Sequence, residues 1–303
     1  MKQTFYSNGK LFITGEYVVL DGAIAFSLPT KFGQNLVMET TKTGFLEWKS
    51  YDSNDEIWLE EKISFEEIFS NSKTGESKKD TLVFILHCAS SMNPEILQDP
   101  KGFSIETKLT FPRNWGLGSS STLINNIAQW FEIDAFELLE RSFGGSGYDI
   151  ANAQNTTAIL YTIGNGKRIV KPFIFQPEFS KNIHFVYLNE KQSSKDAIAS
   201  YQTKKKTIAP IVQQIDEITR EAIACENSNQ FAQLMTKHET ILSSVLETIP
   251  VQQKLFADFD GVVKSLGAWG GDFVMAISEE NPKAYFKAKG FETVLSYEEM
   301  ILK

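Results

Sequence analysis

A chain of 303 residues, 42% of them hydrophobic and 22% charged, is long enough to bury two ordinary cores and carries no bias toward disorder. Its formal charge of -8 argues against a nucleic-acid or anionic membrane partner, since either needs a clustered positive field, so an anionic ligand must be held locally by backbone N–H groups, a few lysines and a divalent cation. Two distant cysteines, Cys88 and Cys225, argue against a disulfide framework or a cysteine metal site, and the absence of a signal-like or membrane-length apolar run makes a soluble, cytoplasmic protein the expectation.

Residues 11–28 are apolar and β-branched, and strand-like runs at 35–38 and 45–48 are separated by polar turns such as Thr43-Gly44, so the chain begins β-rich. Lys10 stands at the start of the first of these runs as a fixed positive charge. Residues 70–80 have no apolar period and read as an exposed loop before a helical pattern at 81–90. From 103 to 110 the side chains alternate, with Phe103, Ile105, Thr107 and Leu109 on one face of a half-buried strand. The loop Pro112-Arg113-Asn114-Trp115-Gly116-Leu117-Gly118-Ser119-Ser120-Ser121-Thr122 follows, and then a helix whose apolar face holds Leu123, Ile124, Ile127, Ala128 and Phe131, with Asn125, Asn126 and Gln129 on other faces. Glycines allow close approach of the backbone to an anion where a helix begins, and the serine hydroxyls can cap that helix or ligate Mg²⁺. Composition alone fits a plain capped turn as well. There is no Gly-x-x-x-x-Gly-Lys-Ser/Thr, and Gly116-Leu117-Gly118 does not extend to a dinucleotide fingerprint, so neither large nucleotide-binding class applies.

A helical pattern at 134–141 leads to a second glycine loop at 144–147 and then to Asp149, a carboxylate placed either to face a cleft or to cap the next helix. Gly164-Asn165-Gly166 reads as a hairpin turn. Beyond about residue 177 the pattern changes to a strand at 183–188, a polar segment at 191–195 and long helical stretches through 246, which predicts domains at 1–176 and 177–303. His87, His184 and His238 lack metal-ligand spacing. A last glycine loop, Lys264-Ser265-Leu266-Gly267-Ala268-Trp269-Gly270-Gly271-Asp272, lies near the carboxyl end. With Phe273 it approaches the diguanylate cyclase signature, but the glutamate and the hairpin context of that signature are missing.

Pro112 to Ser120 match, position for position, the second motif of the GHMP kinases, Pro-x-x-x-Gly-Leu-Gly-Ser-Ser. Gly9-Lys10-Leu11-Phe12-Ile13-Thr14-Gly15-Glu16-Tyr17-Val18-Val19-Leu20 resembles the first motif of that superfamily, and the 264–272 loop resembles the third. Gly145-Ser146-Gly147-Tyr148-Asp149-Ile150-Ala151 is similar to the Gly-Ser-Gly-Phe-Asp-Val-Ala segment of phosphomevalonate kinases, more loosely to mevalonate kinases, and to a bacterial branch marked by Gly-Tyr-Asp-Ile-Ala. The four segments occur in the superfamily's order.

The resemblance implies an α+β fold of two domains, the first like ribosomal protein S5 domain 2 and the second ferredoxin-like. It implies ATP held by Pro112, Gly116, Leu117, Gly118, Ser119, Ser120 and Ser121, with Mg²⁺ on Ser120 and Glu140. Lys10 and Asp149 become the catalytic pair, and Glu16, Ser146, Gly147, Ser194, Gly267, Ala268 and Gly270 the acceptor-binding residues. The acceptor implied is mevalonate or phosphomevalonate; homoserine, a sugar or polyol, or a non-catalytic nucleotide-binding relative are the alternatives, and the state expected is monomer or homodimer. Two positions depart from the family: Asn8 where proline is usual, and Trp269 where a small residue is usual.

Overall fold

The computed structural model describes residues 1–303 apart from 71–74, 99–100, 165, 193 and 205–207, and the side chains at 194–196 and 204. The chain forms two compact units, one of Met1–Gly9, Phe32–Arg113 and Leu117–Gln154, the other of Lys10–Lys31, Asn114–Gly116 and Asn155–Lys303. These cut the chain at points other than the expected boundary after residue 176. Two long strands, β1 (Lys2–Thr14) and β2 (Ala25–Thr40), contribute residues to both.

In the first unit β3 (Leu46–Tyr51), β4 (Ile57–Ile63) and β5 (Phe103–Leu109) join the carboxyl half of β2 in the order β4-β3-β5-β2. β3 and β5 run parallel, whereas β3–β4 and β2–β5 are antiparallel. The alternation of β5 is realised, with Phe103, Ile105, Thr107 and Leu109 buried. α1 (Phe65–Ser70), α2 (Lys78–Met92), α3 (Ser119–Phe131), α4 (Ala135–Ser142) and α5 (Tyr148–Ala153) belong to this unit, and its core joins Trp48, Leu86, Phe103, Trp130 and Phe131. α2 starts at a capping box: Ser77 Oγ accepts from Asp80 N while Asp80 accepts from Ser77 N.

α3 buries more than the apolar face that its period shows. Asn125 and Asn126 are 2% and 0% exposed, so the helix is enclosed beyond its apolar face. Ser7 Oγ donates to Asn126 Oδ1 at 2.7 Å, Asn125 Nδ2 donates to Ser7 Oγ at 2.8 Å, and Asn126 Nδ2 donates to the Gln34 carbonyl at 2.9 Å. These polar side chains are buried because β1 and β2 supply their partners, and the helical period carries no trace of such partners.

In the second unit the amino half of β2 pairs with β6 (Ala158–Gly164), and β6 forms the expected hairpin with β7 (Lys167–Phe173), although Asn165 at its tip lies outside the described residues. A second sheet follows from β8 (Ile183–Tyr187), β9 (Val262–Ser265), β10 (Phe273–Ile277) and β11 (Val294–Ser296), in the order β11-β8-β10-β9 and antiparallel throughout. α6 (Ser194–Lys204), α7 (Ala209–Ile223), α8 (Ser228–Leu246) and α9 (Val251–Leu255) connect β8 to β9, while α10 (Lys283–Ala288) connects β10 to β11 and α11 (Tyr297–Met300) ends the chain. Strand–helix–strand–strand–helix–strand with the fourth strand beside the first is the ferredoxin-like arrangement. The central strands β8 and β10 are buried along their whole length, which explains why their sequence is apolar but for His184. Among the described residues no helix is long and apolar enough to cross a membrane, and both cysteines are free and buried.

Candidate active site

The glycine–serine loop ends in an unusual helix start. Gly118, with φ +91°, occupies the N-cap of α3, and no side chain caps the helix. The serines therefore lie one position too late to cap and instead form the first turn. That turn holds no acidic residue, so its N–H groups and the positive end of a 13-residue helix are available to an anion. Ser120 is exposed, whereas Ser119 and Ser121 are half-buried and Leu117 is buried beneath them. Thr122 holds the turn in place, its hydroxyl 2.7 Å from Gln34 Oε1 and 2.9 Å from the Ser119 carbonyl.

The second glycine loop repeats this device on a short helix. Gly147, φ +81°, is the N-cap of α5, so Asp149 sits half-buried inside the first turn and does not cap it. Ser146 Oγ accepts from Tyr148 N at 3.4 Å, bracing the turn that presents the carboxylate. α3 packs against both α4 and α5. Glu140 is exposed near the end of α4, beside the Glu137–Arg141 ion pair.

Within the second unit the structure draws Lys10, Gly116 and Asp272 together. Gly116 has φ +67°, and a Cβ there would fall 2.3 Å from Asp272 Cγ, so only glycine lets this loop meet the carboxylate. Asp272 is pinned through its own backbone, N donating to the Glu190 carbonyl at 2.6 Å and O accepting from Leu188 N at 2.8 Å. Burial pushes its carboxyl up; the N–H of Gln192 and the charges of Lys10 and Lys191 pull it back.

Glu16, expected at the acceptor, is 1% exposed and paired with Lys264, whose Nζ is 2.7 Å from Oε1. Burial raises the Glu16 carboxyl to about 7 against the opposing pull of Lys264. Gly267 and Gly270 take left-handed φ values of +64° and +103° around the buried Ala268. Trp269 is half-buried, its backbone N–H donating to Tyr17 Oη at 3.2 Å, and the Tyr17 ring centroid lies 5.5 Å from that of Tyr201. The Ser194 side chain lies outside the described residues.

Lys264, His238, Glu239 and Asp272 were given no role by the sequence. Lys264 and Asp272 stand inside the third motif and so were within reach; His238 and Glu239 carry no local signal.

The fold is that of small-molecule kinases of the GHMP type, along the full length of the chain. Mevalonate kinase from Methanococcus jannaschii superposes with a TM-score of 0.74 over 100% of this chain and 99% of that one, at 18% identity. Phosphomevalonate kinase from Streptococcus pneumoniae, in complex with phosphomevalonate and AMPPNP, gives 0.69 over 97% and 99% at 15% identity. Galactokinase from Lactococcus lactis, complexed with galactose, gives 0.67 over 95% and 88% at 14% identity. No protein-family model matches the sequence, and no curated protein matches it.

Proposed function

We propose that this protein is an ATP-dependent kinase transferring the γ-phosphoryl group to a small acceptor, with mevalonate or phosphomevalonate the acceptor its motifs favour. The observation that carries the reading is the start of α3, a helix N-terminus capped by a left-handed glycine and by no side chain, standing on the nine-residue second motif. The likeness in fold to the mevalonate and phosphomevalonate kinases supports it.

Phosphoryl transfer asks a protein mainly for positioning and charge stabilisation. In this reading the backbone from Pro112 to Ser121, with Gly116, Leu117, Gly118 and Ser119, cradles the triphosphate. Mg²⁺ would neutralise phosphate oxygens, with the Ser120 hydroxyl and the Glu140 carboxylate as protein ligands. Among the described residues no group of three or more His, Cys, Asp or Glu is assembled to hold a metal, which suits an ion that arrives on the nucleotide and keeps several waters. Asp149 accepts or orients the acceptor proton, and Lys10 offsets developing charge; for an acceptor already anionic, Lys10 carries more of the work. Ser146, Gly147, Ser194, Gly267, Ala268 and Gly270 shape the acceptor side, in domains spanning 1–176 and 177–303 of a cytoplasmic monomer or homodimer.

The test is an ATP-consumption screen with mevalonate, phosphomevalonate, homoserine and galactose, run beside Asp149→Asn. Turnover with one acceptor is expected, and the variant should lose about 10²- to 10⁴-fold in kcat. Unchanged turnover in the variant would remove Asp149 from the mechanism. ATP binding without turnover on any acceptor would favour a non-catalytic relative.

A further inference from the structure

Four ionisable side chains meet in the interior of the second unit, at the base of the first and third motifs: Glu16, His238, Glu239 and Lys264, exposed by 1%, 0%, 4% and 0%. Lys264 Nζ donates to Glu16 Oε1 and to the Ser265 carbonyl, each at 2.7 Å. Glu239 is well supplied as an anion, Oε1 accepting from Ser265 Oγ at 3.0 Å and Val251 N at 3.2 Å, and Oε2 from Ser265 N at 3.1 Å. One cation thus faces two carboxylates.

The geometry at His238 says where the balance is struck. Gly15 N–H donates to His238 Nε2 at 3.0 Å, so that nitrogen offers its lone pair and the ring proton sits on Nδ1, which finds no acceptor among the described residues. Glu16 Oε2 lies 3.3 Å from the same Nε2 and receives no hydrogen bond from the described residues. Two lone-pair atoms facing each other in a buried site repel, unless a proton lies between them.

We infer that Glu16 is a positioning residue: it carries a proton on Oε2 that shares the His238 Nε2 lone pair with the Gly15 N–H in a three-centre hydrogen bond, and in that form it fastens the turn after β1 to α8 through Oε2 and, through Oε1 and Lys264, to β9, the strand that leads into the third-motif loop. The cluster then holds Lys264⁺ and Glu239⁻ with neutral Glu16 and His238, and is neutral overall. Ionised Glu16 would leave a net negative charge among four buried side chains. The charged or titratable groups that face it are Lys264 from β9, His238 and Glu239 from α8, and Tyr17 beside it in the turn. Burial of the carboxyl acts in the same sense, holding it protonated to about 7. Two further contacts hold the ends of that turn: the Thr14 hydroxyl meets that of Thr219 on α7 at 2.7 Å, and Tyr17 Oη accepts the backbone N–H of Trp269 in the third-motif loop. Fastening these segments sets the loop at 266–272, and this consequence rests on the kinase reading; the proton itself does not.

The decisive measurement is the imidazole ¹⁵N spectrum of His238 in the intact protein. At pH 6 it should show a protonated Nδ1 and a hydrogen-bonded, unprotonated Nε2, and Nε2 should shift with a midpoint near 7 as Glu16 loses its proton. A protonated Nε2 at pH 6 would overturn the inference. Glu16→Gln, which keeps a neutral donor, should abolish that shift and flatten the dependence of urea midpoint on pH between 5 and 8. In the kinase assay the acceptor KM of the native chain should rise several-fold from pH 6 to 8 relative to Glu16→Gln, with a smaller change in kcat; identical pH profiles would refute the assignment. If Glu16→Gln does not fold, the native spectrum decides alone. If no acceptor is turned over, the kinase reading fails while the spectral and unfolding measurements still test the proton.

Discussion

Gly116 and Asp272 show how a single missing side chain fixes a loop. An alanine at Gly116 would adopt φ +67° at a cost and place its Cβ 2.3 Å from the Asp272 carboxyl carbon, which the backbone bonds of Asp272 prevent from retreating. Gly116→Ala should lower the unfolding free energy by about 1–3 kcal/mol in urea titrations, whereas Asp272→Asn keeps the shape and should cost less than about 1 kcal/mol. Lys264 poses the opposite case of a cation that two buried carboxylates require. Lys264→Met should cost about 3–5 kcal/mol at pH 8, where both carboxyls are pressed to ionise, and distinctly less at pH 5, where protonation relieves them. For Glu16 itself the folded pKa of about 7 exceeds the unfolded value near 4.5, so its contribution is complete below pH 4.5 and is lost as pH rises to 7. Measuring the Lys264→Met penalty at both pH values checks that sign. The sequence displayed Lys264 and Asp272 within a recognisable loop, but burial is a tertiary property. Glu16, His238 and Ser265 become neighbours only through a fold that joins positions more than 200 residues apart.

Element by element, the chain was most legible where one face packs and the other is wet. β5 announced itself by strict alternation, and α4 by a polar–apolar period that ends in the Glu137–Arg141 pair. β4 did not, because Glu60, Glu61 and Lys62 interrupt its apolar residues and its pairing with β3 depends on a partner strand. α3 was read correctly as a helix following a glycine loop, but its period could not show that the asparagines off its apolar face are buried. Its start also differs from the simplest capping rule, since Gly118 takes the cap that Ser119 would ordinarily supply and so leaves the amides uncapped. The buried asparagines are open to direct test. Asn126→Ala would leave Ser7 Oγ and the Gln34 carbonyl without their partner and should cost about 2–4 kcal/mol, while Ser77→Ala, which removes an exposed capping box, should cost about 1 kcal/mol. Parallel urea titrations with unchanged m-values would register both; equal costs would mean that the asparagine network adds nothing beyond a surface cap.

For the whole molecule the central tension is electrostatic: a chain of formal charge -8 is proposed to bind a nucleotide that is itself an anion. Long-range attraction cannot supply the affinity, so it must come from donors fixed at short range, above all the first turn of α3. Added salt should then leave nucleotide affinity nearly unchanged or raise it slightly by screening repulsion, the reverse of a basic nucleic-acid binder. Binding to the folded chain must also stabilise it. At a free MgATP concentration about one hundred times its Kd the gain is about 2.7 kcal/mol, which for a protein of this size corresponds to a rise in Tm of about 5 °C. Gly118→Ala forces an L residue into φ +91° at the helix cap, so it should lower Tm without nucleotide and reduce the MgATP-dependent rise as well. A thermal shift series with MgATP, ATP plus EDTA, and no nucleotide, on both proteins, separates the two effects. A full rise in Gly118→Ala would move the nucleotide away from the start of α3, and no rise in the native chain at millimolar MgATP would remove ATP from the proposal.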